Sequence, residues 1–217
     1  MPPPRPLTAE SIVDAAVRVA DQGGLTAVSM RGVGKELGVE AMSLYHHVAN
    51  KEALLDALAD WIFAQIVLPK PDDDWRTGMV RRSTSSREVL SAHPWALTLI
   101  ESRTNPGPAL LRHHDAVVGC LRHDGFSLLD TSHAFSVLDA YVYGFVLVEQ
   151  TLPFDPSTGG AANDFADDVA PMLAAYPNLR DLTTELIDDH YAYSDEFAHG
   201  LDLILDGIAR RRGEKPQ

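Results

Sequence analysis

A single cysteine, Cys120, stands in 217 residues, which excludes an internal disulfide framework. Positive charge is scarce as well: 18 Lys and Arg face 31 Asp and Glu, for a formal charge of −13 at pH 7. Spread evenly, that balance would argue against a nucleic-acid partner, because acidic surface repels phosphate. No cationic segment followed by an apolar run opens the chain. The most apolar stretch, Phe135 to Val148, is interrupted by Asp139 and too short to span a bilayer, so a cytoplasmic protein with no membrane partner is expected. There is no Gly-x-Ser-x-Gly elbow, His-Glu-x-x-His pair or phosphate loop, and Cys120 sits on a helix stripe where an inert thiol is expected. His113, His114, His123 and His133 cluster in sequence, but adjacent histidines point to different sides of a helix, whereas metal ligands at i and i+4 share one. No enzyme, no cofactor and no metal is expected.

What is present begins with the distribution of charge. Residues 1–55 hold five cations against six anions, a net of −1, so the remaining −12 belongs to residues 56–217. The opening MPPPRP reads as an extended arm with at most a weak contact to DNA. Ile12, Ala15, Ala16, Val19 and Ala20 repeat at helical spacing, capped by Thr8 and ended by Gly23-Gly24, which gives a first helix near Ala9–Gln22. Ser29 caps a second helix built on Met30, Val33 and Leu37 and stopped by Gly38. A third runs from about Ala41 to Val48 with Leu44 and Val48 inward, and Asn50 caps a fourth that reaches about Val67. Two short helices joined by a tight turn place the third helix as a reader. An eight-residue helix is not stable alone, so packing must hold it. Its outward side chains, Ala41, Met42, Ser43, Tyr45, His46 and His47, are where a recognition helix meets base edges and phosphates. Met42 suits thymine methyls, and Tyr45, His46 and His47 suit phosphate or base acceptors. Ser29 and Arg31 on the second helix and Lys51 on the fourth complete the expected double-stranded DNA contacts.

Beyond Pro69 the sequence predicts a larger helical domain, 69–217, behind a head spanning 1–68. A fifth helix opens at Trp75 and reaches about Ser91; its many Arg and Ser residues read first as a solvated face. A short helix carries Trp95, Leu99 and Ile100, and a seventh runs from Ala109 to His123. The eighth, Leu128 to Thr151, is apolar nearly all round, so one side requires a partner. Leu152–Asp164 reads as a loop, Phe165–Tyr176 as a helix kinked at Pro171, and no element is assigned to Asn178–His190. The last helix runs from Ser194 to about Arg211, with Gly200 and Gly207 permitting close approach. Together the eighth and last helices predict a homodimer through a four-helix interface of Tyr141, Phe145, Val148, Phe197, Leu201, Ile204, Leu205 and Ile208.

The run LTAVSMRGVGKELGVEAMSLYHHVANKEALLDAL resembles the DNA-binding domain of the TetR family of transcriptional regulators, close to the tetracycline-repressor branch. The resemblance is dense over residues 8–60 and scattered beyond, at Trp75, Arg87, Leu90, His93, GFS at 125–127 and around Gly144. It implies an all-α fold, an N-terminal three-helix helix-turn-helix head followed by a ligand-binding and dimerisation domain, and a dimer that releases its operator when a small-molecule effector binds. The fifth helix would line the chamber, with Arg82 and Ser86 at matching positions. Ile100 and Ala140 stand where the tetracycline repressor has its two drug-anchoring histidines, so the resemblance argues against tetracycline. The implied chamber holds Val67, Arg82, Ser86, Trp95, Leu99, Ile100, Arg103, His114, Val117, Phe135 and Asp139. The alternative is a small-molecule or metal-sensing binding protein whose DNA head is vestigial.

Overall fold

A computed structural model describes residues 6–70, 72–155, 161–188 and 193–213. Among the described residues there is no strand. The helices are α1 (Ala9–Ala27), α2 (Met30–Leu37), α3 (Ala41–Leu44), α4 (Lys51–Gln65), α5 (Trp75–Ala92), α6 (Ala96–Glu101), α7 (Pro108–His123), α8 (Leu128–Gln150), α9 (Ala161–Val169), α10 (Pro177–Asp188) and α11 (Tyr193–Gly213). A 3-10 turn, Ala170–Ala175, lies between α9 and α10. The chain packs as two compact units, one running to Phe135 and the other from Ser136. Most of the opening MPPPRP arm and the centre of the Leu152–Asp164 loop fall outside the described residues.

In the first unit, local chemistry sets the ends of the head helices. Thr8 Oγ1 accepts from Ser11 N and Ser11 Oγ returns the bond to the Thr8 backbone, a closed capping box. The chain leaves helical geometry at Gly24, whose φ of 68° lies in the left-handed region that favours glycine. Ser29 Oγ accepts from Gly32 N at 3.0 Å to start α2. A Cβ on Gly34 would stand 2.9 Å from the Val39 carbonyl oxygen and 3.3 Å from Ala41, so glycine there lets α2 and α3 approach. The expected eight-residue third helix is shorter: α3 closes one turn, and the peptide N–H groups of His47 and Val48 both donate to the Leu44 carbonyl. That shared acceptor tightens Tyr45–His47 into a turn, while Leu44 and Val48 stay buried.

α4 buries Leu54, Leu58, Ala59, Ile62 and Phe63 and ends at Gln65, leaving Val67 exposed beyond it. α5 departs from its expected solvated face: Arg82, Ser83, Ser85 and Ser86 are all buried beside Trp75, Met79 and Leu90. Arg82, Ser85 and Ser86 find partners in His113, the Val67 N–H and the Arg82 carbonyl, whereas the buried Ser83 hydroxyl has none among the described residues; helical periodicity of apolar residues cannot register this inward polarity.

In the second unit, the C-terminal half of α8 packs on α11. The Tyr141 ring stacks on Phe197 at 5.4 Å and its hydroxyl donates to the Phe197 carbonyl at 2.9 Å. Phe145 stacks on Tyr193 and meets Phe197 edge-on. Gly200 faces the Tyr141 hydroxyl so closely that any Cβ would overlap it. α9 begins at Ala161, inside the expected loop; Pro171 sits in the 3-10 turn where a kink was expected; and α10 fills a segment to which no element was assigned. α8 runs over Leu128–Gln150, close to the expected Leu128–Thr151; the whole helix, unlike the Phe135–Val148 stretch taken alone, is long and apolar enough to cross a membrane by length and composition alone.

Candidate functional site

The reading tip is built from one buried residue, four outward ones and two that are half-buried. Leu44 is fully buried and anchors α3. Around it Met42, at 73% exposure, and Tyr45, His46 and His47 face solvent, while Ala41 and Ser43 are half-buried. Arg31 on α2 and Lys51 at the start of α4 are exposed, and Ser29 is occupied as the α2 cap. The nearby Arg18 is engaged with Glu36 at 2.7 Å. The tip therefore offers a phenol, two imidazoles, an ammonium and a guanidinium around an apolar side chain, chemistry suited to phosphates and base edges.

A second assembly runs along α4. Glu52, Asp56 and Asp60 recur every four residues and so share one face. Arg103 Nη1 donates to Glu52 at 2.8 Å and Asp56 at 3.2 Å, and Asn105 Nδ2 donates to Asp56 at 3.2 Å. The Glu52 hydrogen bond holds the Arg103 guanidinium above its ordinary pKa. Asp60 Oδ1 accepts from the backbone N–H groups of Ala109 and Leu110 at 2.8 and 3.1 Å. α7 starts with Gly107 in the cap position, which has no side chain to offer, so α4 supplies the cap. Three successive turns of α4 are thus held by the segment 103–110. Beneath them Phe63, Ile66 and Ala109 form a buried cluster with Val89, Ile100 and Leu110 packed on it. A cavity of about 30 Å³ between Asp56, Asp60, Phe63, Ile100, Arg103 and Leu110 is large enough for a water molecule.

The expected chamber residues separate into groups. Arg82, Ser86, His114 and Phe135 come together: the Arg82 guanidinium lies 5.8 Å from the Phe135 ring centre, His114 meets Phe135 edge-on at 4.9 Å, and Ser86 Oγ donates to the Arg82 carbonyl. Two residues missed by sequence reasoning complete this group. Phe63 packs against both histidines, and His113 is fully buried with its Nε2 accepting from Arg82 Nε at 2.9 Å. Burial, then the neighbouring Arg82 charge, lowers the His113 pKa from 6.5 to about 3. Ile100 and Arg103 line the small cavity instead, and Leu99 and Val117 are buried. Trp95 donates its indole N–H to Asp21 of α1, an oxygen that His93 Nδ1 also meets at 2.7 Å. Val67 is exposed, and Asp139 belongs to the second unit.

Of the expected interface residues, Phe197, Leu201 and Leu205 are buried within the chain itself, and Tyr141 and Phe145 are half-buried by their packing on α11. Val148 is exposed, and Ile204 and Ile208 are half-buried. Among the described residues no group of three or more His, Cys, Asp or Glu side chains is arranged to hold a metal.

Residues 12–58 match the family described as bacterial regulatory proteins, tetR family, and residues 68–212 match the tetracyclin repressor-like C-terminal domain. The HTH-type transcriptional repressor DrrR1 of Streptomyces coeruleorubidus is 32% identical, over 97% of this chain and 82% of its own length. The class A tetracycline repressor from transposon 1721 of Escherichia coli is 31% identical, over 95% and 92%. Among solved structures, Streptomyces coelicolor ActR in complex with actinorhodin superposes with a TM-score of 0.75 at 26% identity, covering 96% of this chain and 100% of that one.

Proposed function

The chain belongs to the TetR family of bacterial transcriptional regulators, and from that premise we propose that it is a homodimeric repressor of a palindromic operator, released in the cytoplasm by a small apolar or amphipathic effector. It is a regulator and not an enzyme, as its relatives are. The observation that carries the reading is the tip itself: a single helical turn, anchored by Leu44, that spends Met42, Tyr45, His46 and His47 on solvent between Arg31 and Lys51. Two such tips related by a two-fold axis would read half-sites in successive major grooves. The −12 of charge beyond residue 55 supports approach through this face alone.

The clamp on α4 supplies the route of response. The first turn of α4 carries Lys51 at the tip, and its last packs Phe63 against His113 and His114. An effector lodged near Arg82, His114 and Phe135 that favours a different seat for Phe63 would move α4, and operator affinity would fall by the same coupling free energy. A coupling of about 1–3 kcal/mol corresponds to roughly 5–150-fold in affinity. Ile100 in place of an anchoring histidine, and an ActR neighbour solved with actinorhodin, both support an effector other than a metal–tetracycline complex.

The test is a gel shift on the DNA upstream of the protein's own gene. A salt-sensitive shift is expected, with Tyr45→Ala and Lys51→Ala each weakening it about tenfold per half-site, the scale of one charge-assisted hydrogen bond, hence roughly 100-fold for a dimer on two half-sites. Lys51→Ala should also lower the salt slope by about one per half-site, about two for the dimer. Absence of a salt-sensitive shift at every protein concentration would refute operator binding.

A further inference from the structure

Apart from the flanking Arg31 and Lys51, the reading turn itself is poorly equipped for the paired hydrogen bonds by which proteins usually tell bases apart. From Ala41 to Val48 there is no Asn, Gln, Arg, Lys, Asp or Glu. The side chains that form paired bonds to adenine or guanine, or accept from cytosine, are therefore missing from the reading turn. Ser43 is half-buried, and Ala41 presents only a methyl group. Beside the exposed Tyr45, His46 and His47 the turn presents one large apolar side chain to solvent: Met42 is 73% exposed, against 45% for Tyr45, and it sits two residues before the buried anchor Leu44. An unbranched thioether adapts its shape to a small apolar target better than any other side chain of its size. The major groove offers one apolar feature, the methyl group at C5 of thymine.

We propose that Met42 is a specificity-determining residue that reads a pyrimidine 5-methyl group in each operator half-site. The proposal rests on α3 being the DNA reader and goes on to name what it reads. Base identity at that position is then set by apolar contact: thymine is accepted, cytosine is rejected for lack of the methyl group, and 5-methylcytosine regains the contact.

The upstream fragment is amplified with either dTTP or dUTP, so that one duplex lacks every thymine methyl group while keeping base pairing and the O4 acceptors. Fluorescence anisotropy at fixed salt then measures wild type and Met42→Ala on both duplexes. Wild type should bind the uracil duplex about fourfold more weakly per half-site, the factor from burying one methyl group, hence roughly 16-fold for a dimer on two half-sites. Met42→Ala should bind the thymine duplex more weakly by a comparable factor and no longer distinguish the two. Its exposure means that the variant folds, which an unchanged far-UV spectrum checks. Single uracil substitutions then locate the position, where cytosine should bind weakly and 5-methylcytosine should restore affinity. Equal affinity of wild type for both duplexes overturns the proposal, as does undiminished discrimination by Met42→Ala. Failure of wild type to bind even the thymine duplex overturns the DNA-reading assignment itself, a result distinct from the other two.

Discussion

His113 has its charge decided by its surroundings. Its Nε2 accepts from Arg82 Nε, its ring is buried, and its pKa is lowered from 6.5 to about 3, first by burial and then by the Arg82 and His114 charges. The folded ring is neutral, and with Nε2 accepting, the proton resides on Nδ1. An unfolded chain titrates this histidine near pH 6.5, so between pH 6.5 and 3 the unfolded state holds a proton that the folded state refuses. Stability contributed by the neutral ring is therefore complete above pH 6.5 and lost on acidification, at up to about 1.4 kcal/mol per pH unit. Thermal unfolding followed from pH 8 to 4.5 should show that acid limb, and His113→Gln, which keeps an acceptor for Arg82 and does not titrate, should flatten it. Identical limbs in the two proteins would assign the loss to other groups. The sequence suggested His114 and missed His113, although it did show that two adjacent histidines point apart. Which of them faces inward depends on how α7 is rotated against α5, a fact of tertiary packing. Arg82 and Ser86, in contrast, were legible only through family resemblance, because their burial runs against the polar pattern of α5.

At the scale of elements, α4 is tied to the segment before α7 through Asp60, which stands in for a missing N-cap. Gly107 is required there because a Cβ would overlap the Asp60 carboxylate. Removing the carboxylate leaves the Ala109 and Leu110 N–H groups without their acceptor. Asp60→Ala should therefore lower the unfolding free energy by about 1–2 kcal/mol, and Asp60→Asn, which keeps an acceptor oxygen, should recover most of it. Urea titration of the three proteins checks this; an unchanged midpoint for Asp60→Ala would show that α7 needs no cap from α4. The caps written in sequence were readable in advance: Thr8, Ser29 and Asn50 each accept a backbone N–H from the first turn of the helix they were expected to cap. A cap delivered from another helix leaves no local signature. The length of α3 was not readable either, since the turn at Tyr45–His47 contains neither glycine nor proline, and only Leu44 accepting two N–H groups ends the helix. α10 went unassigned although Leu179, Leu182, Leu186 and Ile187 recur at i, i+3, i+7 and i+8, the spacing of an amphipathic helix; in the structure Leu179 and Leu182 remain more than half exposed.

At the scale of the whole molecule, a single chain carries one reading tip, and joint reading of two half-sites requires a second copy. The apolar surface left uncovered on α8 includes Val137, Leu147 and Val148, and α11 leaves Leu203 exposed. The glycines divide the surfaces of these helices. Gly200 abuts the Tyr141 hydroxyl of its own chain, whereas an added Cβ at Gly144 or Gly207 would meet nothing within 4 Å. Gly200 therefore serves packing within the protomer, and Gly144 and Gly207 remain free to admit a partner helix. Phe145 is a poor residue with which to test the dimer, since it packs on Tyr193 and Phe197 and its loss would disturb the fold. Gly144→Glu separates the two effects. The open space around Gly144 leaves the protomer undisturbed, and glutamate favours a helix interior over glycine, so thermal stability of the isolated subunit should not fall. A carboxylate on each side of a close apolar seam would be desolvated and opposed by its symmetry mate, which is costly enough to part the subunits. Light scattering should report a dimer for wild type and a folded monomer for Gly144→Glu, with operator affinity falling as the two half-sites are read separately. A Gly144→Glu dimer of unchanged mass would place the interface elsewhere than on this face of α8.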